Sequence, residues 1–361
     1  MFDLPTESLG YFVLYLVTLV LHVVVMNYVV AGALMVAGAA VYRLFGEYCQ
    51  ATRTMVSVVK DWLPLALGVT ITLGVAPILF VQLLYKHAFY TANLLLFHRW
   101  MAILPVLIVA FYLLYLQKTK WLEARGKGLQ ALVAVGVLAM FLFVAWSWSE
   151  NHLLSLAGQE TWTEQFAAGR WWHQTAELPP RLSLWMIGSL ATFAVLLGWQ
   201  LMDTADKQTV GRLSLTALSG AGGAVLAAIW YAVVLPESVT KALQQPWPLA
   251  LLVVGGVGLA GFVASWGMIA KSGQLQTKWM ISASASIGLA IIAATLLREV
   301  RRYVALVGVE QWDAAVRDTQ QAAHTQGLGV FLLFFVGNAV VIAGIIWNVR
   351  KRLMQSENQT S

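Results

Sequence analysis

Apolar residues fill this chain in long blocks separated by short polar stretches. A membrane-spanning helix needs about 20 predominantly apolar residues, and nine blocks qualify: 10–44, 63–85, 93–117, 129–149, 182–202, 210–235, 248–270, 277–297 and 327–349. The pattern predicts an all-α fold, a polytopic bundle of about nine transmembrane helices forming one integral membrane domain over residues 1–361. The first block is long enough to extend about 50 Å as a helix, so it must tilt or protrude. Two connections are more than turns: 150–181, which carries Trp162, Trp171 and Trp172, and 298–326, which opens REVRRYV. A polar tail follows at 350–361.

Composition agrees with the pattern. The chain is 59% hydrophobic and 11% charged, against about 25% charged residues in a soluble domain. Its net charge of +6 matters less than where the basic residues fall. With the N-terminus outside and the C-terminus in the cytoplasm, the inner loops hold 14 of the 23 basic residues and 6 of the 17 acidic ones. That is the orientation the positive-inside rule selects, and nucleic acid is not an expected partner. The start, MFDLPTESLGYFVLYL, lacks a basic n-region, so the first helix is expected to be retained. The single cysteine, Cys49, permits neither a disulfide framework nor a Cys-x-x-Cys-His haem attachment site. Glycines at 220, 222 and 223, and Gly255, Gly256, Gly258 and Gly261, put small residues where the sixth and seventh spans can approach closely. Pro64, Pro77 and Pro105 lie in or near the second and third spans, and each frees a backbone carbonyl.

The histidines carry the candidate chemistry. All six (His22, His87, His98, His152, His173 and His324) fall in outer loops or toward outer helix ends in this topology. For His87, His173 and His324 interfacial hydrogen bonding is the expected role. His98 opens the third span and either anchors at headgroups or reaches inward, while His152 stands one turn past the expected membrane boundary. His22 differs, because it lies within TLVLHVVVMNYVVAG (18–32). An ionisable residue inside a span is costly and faces the bundle interior. A neutral imidazole there suits an iron ligand whose other nitrogen donates a hydrogen bond; the alternative is a histidine simply hydrogen-bonded to a neighbouring helix. Met26 shares its face at i+4, but two ligands from one helix cannot occupy opposite sides of one haem, so Met26 is expected to pack against a cofactor or a helix. Asp61, Glu150, Glu237 and Glu299 fall at span boundaries, which weighs against a small-solute transporter with carboxylates along its pathway. Gly-Lys-Ser/Thr, His-Glu-x-x-His and nucleophile-elbow motifs do not occur.

The order of features resembles subunit I of the cytochrome bd quinol oxidase superfamily. The residues that carry the resemblance are the long first helix with His22 and the second helix GVTITLGVAPILFVQLLYKHAFY, similar to the family's Gly-x-x-x-x-Leu-Gly-Val-Ala stretch. The resemblance implies a bundle in a bacterial inner (cytoplasmic) membrane that binds b-type haem near the outer face, with His22 as an axial ligand. His98 stands in the region where the family's third helix begins with a glutamate near the haem. The sequence departs from the family where the fifth helix would supply a haem-ligand histidine, since Leu184, Trp185 and Met186 stand there. The long quinol-binding loop and the proton-path glutamates are missing too.

The expectation is therefore a membrane electron-transfer subunit rather than a complete terminal oxidase. It would hold haem b through His22, with His98 or His152 as second ligand or supporting group, and pass electrons between the quinone pool and an outer c-type cytochrome. Trp162, Trp171 and Trp172 either form part of the docking patch or anchor at the membrane interface. Arg298, Arg301 and Arg302 either neutralise haem propionates or a quinone headgroup, or pair with Glu299 and lipid phosphates. The alternative function is a haem-free membrane anchor or assembly subunit of a redox complex.

Overall fold

A computed structural model describes residues 6–306 and 328–360, and every element among them is helical. The helices are α1 (Thr6–Tyr42), α2 (Gln50–Leu84), α3 (Lys86–Leu95), α4 (Phe97–Leu116), α5 (Lys120–Glu123), α6 (Lys127–Ser155) and α7 (Gln159–Ala167). They continue with α8 (Leu178–Gln200), α9 (Lys207–Val234), α10 (Glu237–Leu243), α11 (Pro246–Ser272), α12 (Thr277–Leu306) and α13 (Leu328–Thr360). Among the described residues nine are long and apolar enough to cross a membrane: α1, α2, α4, α6, α8, α9, α11, α12 and α13. The chain is a multi-pass membrane protein with an apolar exterior for lipid, displaying side chains such as Leu132, Leu226 and Val257.

Helix ends differ from the apolar blocks wherever polar residues are satisfied within the bundle. The second span begins at Gln50, thirteen residues before its apolar block, and runs through Asp61, a largely exposed carboxylate that pairs with Lys118 at 3.2 Å. The connection 150–181 is largely structured: Glu150–Ser155 finish α6, and α7 follows. Arg298, Arg301 and Arg302 belong to the last turns of α12 and not to a loop. Positions 350–360 prolong α13 and do not form an irregular tail. His324 and the rest of the connection from 307 to 326 lie outside the described residues.

Three hairpin pairs form the frame, α1 with α2, α8 with α9 and α11 with α12, and α1 also touches α6, α8 and α12. The glycines are used, but not between the sixth and seventh spans. A Cβ on Gly220 of α9 would lie 2.7 Å from the backbone nitrogen of Ala191 on α8, and one on Gly223 would collide with Ile187. On α11, a Cβ at Gly258 would lie 2.8 Å from the carbonyl oxygen of Ser286 on α12. Each small-residue face therefore serves the hairpin partner, where the backbones come closest. Gly258→Ala is expected to cost about 1–3 kcal/mol through overpacking against backbone that cannot yield. Gly256→Ala, which meets nothing within 4 Å, should be neutral; thermal denaturation of both in detergent checks the contrast.

Buried apolar residues form two clusters. The larger takes α1 from Tyr28 onward with α2, α8, α9, α11 and α12. The smaller takes α1 from Tyr11 to Leu19 with Phe80, Tyr85, Phe89, Leu154, Trp162 and Leu306. The stretch of α1 between them contains His22 and Asn27, and it makes polar links to its neighbours. Asn27 donates to Thr192 Oγ1 at 3.1 Å and accepts from Trp185 Nε1 at 3.0 Å. The fifth span thus offers Trp185 as a hydrogen-bond donor to α1.

Candidate functional site

His22 points from α1 onto α2. Its Nδ1 lies 3.0 Å from the carbonyl oxygen of Thr70. A carbonyl only accepts, so the ring proton is on Nδ1 and the lone pair is left on Nε2. Among the described residues Nε2 makes no hydrogen bond. Room for the ring comes from Gly74, one turn beyond Thr70, where a Cβ would approach Cε1 to 2.8 Å and Nδ1 to 3.0 Å. Gly74 is the second glycine of the Gly-x-x-x-x-Leu-Gly-Val-Ala stretch, so that stretch packs against His22. The accepting carbonyl is not the one freed by a proline, since Pro77 frees that of Leu73. Met26, one turn along α1, is half-buried and has no polar role.

Two turns from His22 in the opposite direction, Tyr15 enters a buried polar network. Its hydroxyl donates to Glu299 Oε1 at 2.9 Å and accepts from Arg298 Nη2 at 3.0 Å and Arg302 Nη1 at 3.2 Å. Glu299 also accepts from Tyr85 at 3.2 Å and from Arg302 at 3.0 Å. The Arg302 guanidinium lies over the Tyr85 ring, 4.3 Å from its centroid. Glu299 is 1% and Arg302 3% exposed, so this is an ion pair removed from both water and lipid. Placing Glu299 at a span boundary by sequence missed that burial: its carboxylate is tolerated inside because three donors converge on it.

The neighbouring residues extend the network around this end of the bundle. Arg301 grips Glu177, the residue before α8, through two bonds of 2.9 and 3.2 Å, and Tyr231 of α9 donates to the same carboxylate at 3.2 Å. Arg99 pairs with the buried Glu150 at 2.6 Å, whose other oxygen accepts the backbone N–H of His173. Burial holds the His173 imidazole below its ordinary pKa, against the opposing pull of Glu177.

The remaining sequence candidates separate. His152 is 6% exposed near the end of α6, and its Nε2 accepts from Arg298 Nε at 3.4 Å. His98 is exposed at the start of α4, edge-on to Phe97 at 5.6 Å. The described contacts do not bring His98 or His152 onto His22, and no group of three or more His, Cys, Asp or Glu able to hold a metal ion occurs among the described residues. Arg301 and Arg302 are committed to Glu177 and Glu299. Arg298 alone of the three retains reach toward His22 and His152 together, its charge acting on both. Trp162 leaves the docking-patch expectation: it is 3% exposed and its Nε1 donates to Leu154 O at 2.7 Å. Trp171 and Trp172 are exposed and pack edge-on against each other at 5.1 Å.

Sequence reasoning singled out the histidines and the arginines but missed Tyr15, Tyr85, Glu177 and Arg181. The one signal available was the i, i+3 spacing of Glu299 and Arg302 in LREVRRY, which places them on one helical face. No family model matches the chain, and no curated protein or solved structure matches it.

Proposed function

We propose that this protein is a membrane electron-transfer subunit that carries b-type haem on His22 in the outer half of a bacterial inner membrane. It passes electrons between the quinone pool and an outer c-type cytochrome. The observation that supports this reading is the tautomer of His22. Its Nδ1–H is spent on the Thr70 carbonyl and its Nε2 makes no hydrogen bond among the described residues, the arrangement in which a metal-ligating imidazole is oriented and made more basic. The residues present fit one ligand to haem iron, His22, and neither His98 nor His152 is placed where it would supply a second. Haem, when bound, supplies one-electron chemistry; the protein sets its potential through the ligand, burial and hydrogen bonding. Thr70 fixes the ring, Gly74 admits it, and Arg298 places positive charge nearby. Trp171 and Trp172 are the exposed aromatic residues left to meet the outer partner.

The test is a reduced-minus-oxidised visible spectrum of the purified chain. A b-type band that disappears in His22→Ala, in protein that elutes and melts like the wild type, is the expected result. A colourless wild type that is correctly folded would instead establish the second reading, a haem-free anchor or assembly subunit. That reading draws on the saturation of Arg301 and Arg302 by carboxylates of the chain itself.

A further inference from the structure

A small recess lies beside the buried network, between Tyr85 and Phe89 on one side, Trp148 and His152 of α6, and Arg298 and Arg302 of α12. Among the described residues its charge does not balance. Four guanidiniums, those of Arg181, Arg298, Arg301 and Arg302, act on His152, and the described carboxylates that pair with them are two, Glu177 and Glu299. Arg301 and Arg302 take those two. Arg298 stands 3.8 Å from a Glu299 oxygen already engaged by others. Arg181 makes no ion pair among the described residues, and its Nη1 is buried without a hydrogen bond. His152 adds a further unused donor: its Nε2 accepts from Arg298, so its proton is on Nδ1, which is buried and unpartnered.

Surplus positive charge and idle N–H donors at the interior end of a membrane bundle are costly unless something neutralises them. A guanidinium presents paired donors suited to carboxylate and phosphate oxygens. A neutral quinone, which offers carbonyl acceptors, would leave the charge uncompensated. We propose that the recess beside His152 is a binding site for an oxyanion, a phosphate or carboxylate group held by Arg298 and the His152 Nδ1–H, with Arg181 supplying the second positive charge. Beyond these donors the recess is walled by Phe89, Trp148 and Leu306. None of these donors involves the His22 nitrogens, so the site stands whether or not His22 carries haem.

The test uses the full chain in non-ionic detergent as wild type, His22→Ala, Arg181→Gln and Arg298→Gln. Affinity and thermal midpoint are followed against inorganic phosphate and against phosphatidylglycerol micelles, with chloride and phosphatidylcholine as controls. A rise in midpoint with phosphate identifies a soluble oxyanion, and a rise with phosphatidylglycerol alone identifies a lipid headgroup. A rise confined to His22→Ala means that carboxylates arriving with haem already fill the site in the wild type. Each of these supports the oxyanion site. Arg181→Gln should raise the ligand-free midpoint, since it removes surplus charge, while weakening the ligand by about ten- to a hundredfold, the scale of a lost charge-assisted hydrogen bond. A lower ligand-free midpoint in Arg181→Gln would give that guanidinium a structural role and overturn the proposal. So would no response in either background, or unchanged affinity in Arg181→Gln and Arg298→Gln.

Discussion

Glu299→Gln is expected to destabilise the protein by about 3–5 kcal/mol, the cost of stranding a buried charge by removing its partner. The amide keeps the size and can still accept one hydrogen bond, so the loss measures charge rather than packing. Arg302 would be left 3% exposed, with the hydroxyls of Tyr15 and Tyr85 as its neighbours and no counter-ion of its own. Arg298, already at 3.8 Å from the same carboxylate, would lose its nearest negative charge and add to the repulsion. The double variant Glu299→Gln/Arg302→Met should recover a large part of the loss, because replacing both members of a buried pair with groups of similar volume is often close to neutral. Denaturation of both variants in detergent is the measurement. A single variant as stable as the wild type would mean that water reaches this pair and that it is not removed from solvent.

The second large effect is expected at Gly74. Gly74→Ala places a methyl group 2.8 Å from Cε1 of His22 and 3.0 Å from Nδ1, so the ring must leave the Thr70 carbonyl. Loss of an orienting hydrogen bond of this kind lowers metal affinity by about 10–100-fold. Haem content per chain should fall accordingly, while Gly68→Ala, which meets nothing within 4 Å, should keep it. If His22 is only a helix tie, Gly74→Ala will cost stability, about 1–3 kcal/mol from overpacking, with no change in any visible spectrum. The pair of variants thus separates a ligand from a fastener.

What the sequence made legible divides along physical lines. Length and apolarity are summed over many residues, so the nine spans and the all-helical fold could be read directly. Helix ends could not, because a helix can continue through a charged residue whether that residue is exposed, as Asp61 is, or buried and paired, as Glu299 is. Asp61 and Glu299 both marked ends for the hydropathy pattern, and both lie within helices. Facing was the least legible property: in a helix apolar all round, no polar stripe marks the buried side. Nothing in GYFVLYLVTL distinguishes Tyr15, which is fully buried against Glu299, from Val13, which is exposed. The glycines announced close approach but not the partner. His22 was conspicuous as an imidazole in an apolar run, whereas the choice between its two nitrogens depends on a carbonyl 48 residues away.

The last turns of α12 have a mechanical consequence. Arg298, Glu299, Arg301 and Arg302 radiate from about one turn of helix, and their partners belong to α1, the α2–α3 junction, α6 and the entry to α8. Rotating α12 by one residue, about 100° for a helix of 3.6 residues per turn, would aim each charge at the wrong neighbour at once. The helix is therefore keyed like a bit in a lock: it can bend along its apolar length, but it cannot turn or slide unless all four contacts release together.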